Sequence, residues 1–505
     1  MPGPDDELEC QSAQLQSFQS VSLLQVTTHI RGEQLLPHLT VKLLIVAVPF
    51  FIAAYWVYAY RSPRASLQKR ESGMSGSMLL ALGSTLLLDF FCTDQYQPSM
   101  PDMAEDFGVK PVEMGATIQV HLFTSAVFML LFGPLSDTIG RRPVILGGQV
   151  LLAISTLCCG CAETFPWFVM GRIFQGIAAA VTPVILSTIP DCFTDMEDRL
   201  RHQGALGMLM QLGPLAAPAA GGFLADAFGW RCPFFLLSGL SALLVIFSLF
   251  VVEETAPATV DVKYVACAKR TLGHWSRCLI LCGCLFIKSF FDGLAASNGF
   301  VLRRDLHLSL HGASVCITLM ALAGALGSYV PARLPFGPLE ALQACMGPLL
   351  LSAVCLGAVG VLRSESLPWF MGATCYAEVV IWTPYVSALC QFTEGIEDIA
   401  GSAASLLTAL SFLGSSFVSL SVVFLAQREG AGGFLLALGA LLLLTAISLW
   451  LGPLRSIEVP EEGSPKRSPL ASALTPEGYI AALAAKGGDC SPRKVRARPP
   501  ESDSP

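Results

Sequence analysis

Apolar residues along this chain fall into long unbroken runs parted by short charged stretches. Twelve runs lie near 77–97, 114–132, 144–162, 166–189, 203–225, 233–252, 278–300, 312–331, 341–362, 367–390, 400–426 and 432–453. Each is close to the ~20 residues an α-helix needs to cross the hydrocarbon of a bilayer. Lipid offers no partner to a peptide group, so such runs must be helical. The pattern therefore predicts an all-α polytopic membrane protein. A further run, Val41–Tyr60, is followed by Arg61, Arg64, Lys69 and Arg70. It predicts one extra N-terminal transmembrane helix, with an interfacial or targeting helix as the alternative. Residues 1–40 are polar and start acidic, and carry no evident secretory signal. The polar link 253–277 divides the twelve runs into halves, 77–252 and 278–453. The segment 454–505, rich in Pro, Ser, Lys and Arg, is expected to be a disordered cytoplasmic tail.

Charge orients the bundle. If the first of the twelve runs enters from the cytoplasm, the inner loops hold thirteen bases, from Arg61 through Arg141, Arg142 and Lys269 to Arg333. The outer loops then hold six: Lys110, Arg231, Arg303, Arg304, Arg363 and Arg428. The imbalance favours this orientation and makes 253–277 a cytoplasmic loop. The composition agrees, with 53% hydrophobic and only 14% charged residues. Soluble domains carry about 25% charged residues. A formal charge of −7 offers no footprint for nucleic acid. Seventeen cysteines are scattered without ligand spacing and read as small buried hydrophobes, so no metal site is expected.

Between the second and third runs stands Gly133-Pro134-Leu135-Ser136-Asp137-Thr138-Ile139-Gly140-Arg141-Arg142-Pro143. Gly133 and Gly140 suit a sharp reversal, and Asp137 suits a helix N-terminus. The pattern G-x-L-S-D-x-x-G-R-R-P resembles the signature between helices two and three of the major facilitator superfamily. Thr138 departs from it by replacing a base. The resemblance implies the facilitator fold, two six-helix halves around a central cavity, with Gly133, Asp137, Gly140, Arg141 and Arg142 as a cytoplasmic gate. In the second half the matching position, Ala332–Gly337, keeps only Arg333.

A carboxylate inside a membrane helix is costly and usually marks function, and burial favours its protonated form. The first run ends Asp89-Phe90-Phe91-Cys92-Thr93-Asp94-Gln95-Tyr96-Gln97-Pro98-Ser99-Met100-Pro101. D-x-Y-x-P-x-x-P resembles the first helix of drug:proton antiporters of the bicyclomycin-resistance type, which implies proton coupling at Asp94. Asp89, five residues back, points to another helix face and is a second candidate. Gly171-Arg172-Ile173-Phe174-Gln175-Gly176 matches the family's R-x-x-Q-G, and the resemblance makes Arg172 the modulator of the carboxylate. Gly204, Gly213, Pro218, Gly221 and Gly222 approximate the antiporter signature of the fifth helix, with Ala217 in place of one glycine. Glycines on one face allow close helix approach, and a proline kinks the helix. Resemblances further on are thinner: Gly229-Trp230-Arg231, Glu254-Thr255, and Gly401-Ser402, which would set the start of the eleventh run near Asp137.

Other buried polar residues are candidates for a substrate cavity: Gln119, His121, Gln175, Asp292, Glu378 and Trp382. Lys288 and Asp292 are four residues apart on one helix face and are expected to neutralise each other. Glu378, with Tyr376, Trp382 and Tyr385, is a candidate lining for a lipophilic cation. The reading is a monomeric carrier that exports small lipophilic or drug-like compounds in exchange for protons, working from the plasma membrane or an organellar one. It needs no cofactor beyond the proton, and nothing resembles an enzyme's catalytic constellation. A metabolite facilitator or symporter, and a transport-dead receptor or scaffold, remain the alternatives.

Overall fold

The computed structural model describes residues 74–193, 196–256, 264–330, 338–362, 366–393 and 400–454. The expected helix 41–60, the segments flanking it, the Ala332–Gly337 stretch and the tail beyond 454 lie outside these. Ten helices among the described residues are long and apolar enough to cross a membrane. One, Ser405–Gly452, runs 48 residues, roughly 70 Å at ~1.5 Å per residue and over twice the hydrocarbon thickness. Gly430, at φ 65° and ψ −152°, breaks it into two crossings. An eleventh helix, Leu367–Thr393, is 27 residues long, its apolar run diluted by Glu378, Thr383 and Pro384. Twelve crossings result among the described residues.

They are α1 (Gly76–Asp94), α2 (Pro111–Ile139), α3 (Arg141–Gly160), α4 (Phe165–Ala179, resuming as Thr182–Cys192), α5 (Met196–Phe228) and α6 (Cys232–Val251). The second half has α7 (Trp275–Phe300), α8 (Leu310–Tyr329), α9 (Pro338–Val361), α10 (Leu367–Thr393), α11 (400–429) and α12 (431–449). Local chemistry sets several boundaries. Ser75 and Ser309 cap α1 and α8 through the backbone N–H groups of Met78 and Gly312. Glu113 reaches back to the Lys110 N–H at 2.7 Å to start α2. Pro183, lacking an N–H, falls in the first turn where α4 resumes. Phe250 is 84% exposed and Leu362 78%, as residues solvated by lipid are.

The reversal expected across Gly133–Pro143 is narrower than the sequence suggests. α2 stays helical through Ile139, and Gly133 lies inside it; Gly140 alone, at φ 105°, turns the chain. The 29 residues of α2 span roughly 43 Å, so its polar last turns clear the hydrocarbon and have no reason to unwind.

The two halves meet in a shared apolar core at the end of the bundle that carries Asp102. Tyr96, Met100, Met114, Ile118, Phe168 and Phe234 of the first half pack there with Ala296, Phe300 and Val423 of the second. Small residues bring the backbones together. A Cβ on Gly299 would strike the Gln97 carbonyl, and one on Gly115 would lie 3.1 Å from the Ala296 carbonyl oxygen. Arg303 donates to Asp102 across the halves at 2.5 Å.

Three glycines of α5, Gly213, Gly221 and Gly222, pack closely against neighbouring helices. Gly213 abuts Phe90 and the Leu87 carbonyl, Gly221 the Gln95 carbonyl, and Gly222 the Ser314 side chain of α8. Pro214 and Pro218 lie within the helix, to which Gly204 also belongs.

Gly221→Val is expected to cost about 1–3 kcal/mol by overpacking, lowering the thermal midpoint of the detergent-purified protein. Gly207→Ala, with open space around the new methyl, should leave the midpoint unchanged or raise it by up to about 1 kcal/mol of helix propensity. For Asp102 and Arg303, a double-mutant cycle with D102N and R303Q should show a coupling of about 0.2–1 kcal/mol at low ionic strength that disappears at high salt.

Candidate functional site

α1 stops at Asp94, inside a membrane span that continues to Phe107. A short 3-10 turn at Gln97–Ser99 carries Pro98, and the helix resumes at Met100. The break leaves Asp94 half-buried at a helix C-terminus, where the peptide dipoles repel a negative charge. The Gln97 side chain folds back and donates to its Oδ1 at 2.7 Å. Asp94 lies in the field of Lys288, from the second half, and of Arg172, from the first.

Arg172 of α4 is 0% exposed. Its Nη1 donates to the Cys92 carbonyl at 3.3 Å and to Gln175 Oε1 at 2.7 Å. Its guanidinium lies 4.9 Å from the centre of the Tyr96 ring, an attraction between cation and π-face. Among the described residues it forms no ion pair with a carboxylate, and its Nε and Nη2 have no protein partner. Asp89, also in the field of Arg172, has an unpartnered Oδ1. Asp89 and Asp94 thus flank one cation from different faces of α1.

Gln175, expected in a cavity wall, is fully buried and holds Arg172 on one side and the Thr156 hydroxyl on the other, at 3.0 Å. It positions the arginine. His121 has Thr93 at 3.3 Å from Nε2, with Nδ1 unpartnered. Gln119 ties the halves together, donating to Ser419 Oγ at 2.9 Å. In α7, Lys288 and Asp292 form the expected ion pair. Ser415 donates to the other oxygen of Asp292 at 2.6 Å, and the Lys288 ammonium stands 4.4 Å from the Phe412 ring centre. Glu378, 4% exposed, shares its surroundings with Trp382. Tyr376 does not: its hydroxyl turns to the Pro348 carbonyl of α9, at 3.5 Å.

At the opposite end, Arg141 joins three helices. It pairs with Asp137 at 2.6 Å and Asp191 at 3.1 Å, and donates to Ser136. The N-terminus of α3 is held by Glu254, whose carboxylate accepts the N–H groups of Arg141 at 2.7 Å and Arg142 at 3.2 Å. The same carboxylate accepts from Thr255 and Ala256. Arg142 donates to the Leu249 carbonyl of α6 at 2.9 Å. The side chains of Gly401 and Ser402 lie outside the described residues.

Sequence reasoning left several of these unassigned. Asp191 carried no signal beyond standing at the charged end of an apolar run, and Glu254 only a thin family resemblance that gave it no partner. Tyr96 was visible as the aromatic in D-x-Y, but a cation partner for its ring is a matter of packing.

A family model described as Major Facilitator Superfamily matches residues 78–419. "Multidrug resistance protein D" of Escherichia coli K12 is 28% identical over 370 residues, 69% of this chain and 89% of that protein. "Bicyclomycin resistance protein homolog" of Haemophilus influenzae is 26% identical, over 74% of this chain and 95% of that protein. "Chloramphenicol resistance protein" of Pseudomonas aeruginosa is 25% identical, over 70% and 85%. In fold, the chain is similar to a D-xylose–proton symporter, with TM-score 0.62 at 16% identity, covering 74% of this chain and 97% of that one. A bacterial homolog of the human lysosomal transporter Spinster, in an inward-facing and occupied conformation, gives 0.58 at 16% identity, over 77% and 98%. Helix count, charged turn and family model together make this chain a multi-pass integral membrane member of the Major Facilitator Superfamily.

Proposed function

We propose that this transporter exports small lipophilic, drug-like compounds across the plasma membrane in exchange for protons, as a monomer working by alternating access. The observation that carries the reading is the placement of Asp94. It is a carboxylate at a helix break within the bilayer, between a cation of one half and a cation of the other. Such a group can neutralise itself only by taking a proton or by keeping its cations close. Proton loading would remove a negative charge from the field of Lys288 and Arg172, and so change the balance between the halves. Asp89 is the second carboxylate of the same cluster. Arg172, held by Cys92, Gln175 and Tyr96, would fix the field in which both lose and regain the proton.

The remaining parts fit the cycle. The shared core and the Arg303–Asp102 pair close one end, which the charge count places outside. Gly213, Pro218, Gly221 and Gly222 seal α5 against α1 and α8 while the halves rock. The Asp137–Arg141–Asp191 cluster with Glu254 would hold the cytoplasmic ends of the first half together as the gate moves. The names of the relatives, taken from resistance to many drugs, to bicyclomycin and to chloramphenicol, support the cargo class. No cofactor, catalytic group or nucleic-acid surface enters this reading.

Two measurements test it, both in proteoliposomes. With wild-type protein, a gradient of about one pH unit should drive up to roughly tenfold accumulation of cargo per exchanged proton. Asp94→Asn is expected to abolish that accumulation while leaving downhill exchange; uphill transport by D94N would point to a facilitator or symporter with another energy source. Arg172→Lys keeps the charge but loses the planar fork that reaches Cys92, Gln175 and Tyr96 together. It should lower the initial exchange rate about tenfold. Tyr96→Phe, which keeps the ring under the cation, should stay within about twofold of wild type.

A further inference from the structure

At the Asp102 end the halves meet over packed methyls and rings, and such a surface does not fix its own alignment. The ridges of a helix repeat with each turn, so a slip of about 5.4 Å sets like against like. Between α2 and α11 the apolar contacts include Gly115 against Val423 and the Phe123 ring, 5.6 Å from that of Phe417. Between these two in sequence lies Gln119 of α2, 3% exposed. Its Nε2 donates to Ser419 Oγ of α11 at 2.9 Å and reaches the Asp292 carbonyl of α7 at 3.5 Å. A single amide of the first half thus touches two helices of the second.

The acceptor is oriented for that amide. A hydroxyl has one hydrogen to give, and Ser419 gives its own to the Ser415 carbonyl at 2.6 Å. Its oxygen is therefore left to accept. Ser415 in turn donates to Asp292 Oδ2 at 2.6 Å, closer than to the Phe412 carbonyl at 3.0 Å, while Lys288 holds the other oxygen of Asp292. Ser415, Ser419 and Asp292 are all buried. A neutral hydrogen bond of this kind adds little net strength, because it replaces one made to water. Closing out of register costs more, since the Gln119 amide and the Ser419 oxygen would both be buried without partners. The contact therefore discriminates among alignments without locking any of them, as buried polar groups do in fixing the register of helix pairs. The Arg303–Asp102 pair is partly exposed, where solvent can follow a displaced charge, and discriminates less.

Resting on the alternating-access reading above, we infer that Gln119 is a positioning residue that sets the register in which the two halves close at the Asp102 end. Ser419 is its receptor, oriented by Ser415, Asp292 and Lys288. The α7 ion pair then does more than neutralise itself: it fixes the direction of an acceptor that the other half must find. Each closure ends in one alignment, and the bond given up on opening is a weak one.

The test on full-length protein is the distance between spin labels at Glu105 of the first half and Arg428 of the second, both exposed at the Asp102 end. Genetically encoded labels avoid the seventeen cysteines. In wild type the closed component should be a single narrow peak. Gln119→Leu should broaden it or add a component displaced by about 1–5 Å, and Ser419→Ala should do the same. The double variant should do no more than either single one, because both remove one bond. Phe123→Leu, which alters the ring contact on the same helix pair, should keep the wild-type width. In proteoliposomes Q119L should lower kcat for cargo exchange about threefold or more, with KM within about twofold of wild type. An unchanged peak in Q119L, or in S419A where Q119L is not folded, would overturn the assignment. So would additive broadening in the double variant, or equal broadening by F123L. A rise in KM in place of the fall in kcat would make Gln119 a cargo contact and overturn it as well. If the wild-type peak ignores pH and cargo altogether, alternating access fails by itself, and the width of that peak still decides Gln119.

Discussion

An ion inside hydrocarbon must be matched, and each buried charge of this bundle meets that demand differently. The cost of leaving a charge unmatched in a low dielectric is several kcal/mol even after relaxation. Lys288 and Asp292 solve it permanently by pairing on one helix face. Arg141 solves it with two carboxylates at a helix end. Arg172 solves it without any acid, through a carbonyl, an amide and a ring face. Asp89, Asp94 and Glu378 are left with matches that are partial or missing. Fully and partly matched charges thus stand along the same helices, told apart by the company each keeps.

Much of this was legible beforehand, and the reasons are specific. Bilayer thickness fixes helix length so firmly that all twelve runs were recognisable from apolar length alone, including Leu367–Thr393 despite its glutamate. The Lys288–Asp292 pair was legible because a spacing of four on a helix is itself geometry. The Gly133–Pro143 reversal was misjudged because polarity was taken for a loop. A helix long enough to leave the hydrocarbon can be polar at its tip and remain a helix, so Gly140 alone turns the chain. Glu254, more than a hundred residues later, reaches the N-terminus of α3 through a tertiary contact that no local spacing marks. Tyr376 was grouped with Glu378 by nearness in sequence, but two residues on a helix differ by about 200° in direction, and its hydroxyl turns to α9.

The two ends of the first half are held by different physics. At the Asp102 end the contact between halves is mostly apolar, with one partly exposed ion pair, Arg303–Asp102. Surface pairs of that kind contribute little, so closure there rests on packing and on glycines that let carbonyls approach. At the Arg141 end the ties are ionic and gather α2, α3, α4 and α6 of one half. A zone of packed methyls and rings can part and re-form without a charge being stranded. A lattice of paired ions is better suited to keeping one half rigid while it tilts.

The break at Gly430 joins α11 to α12 with no loop between them. Arg304, next to the residue that bridges the halves, donates to the Ala426 carbonyl at 3.2 Å and pairs with Asp305 at 2.7 Å. The Asp305 carboxylate lies against Gly430 itself, 3.3 Å from where a side chain there would begin. The tip of α7 is therefore clasped to the elbow of the last two helices, with no slack at the joint. Any shift of Arg303 relative to Asp102 is therefore a shift of a segment already braced against the joint between α11 and α12.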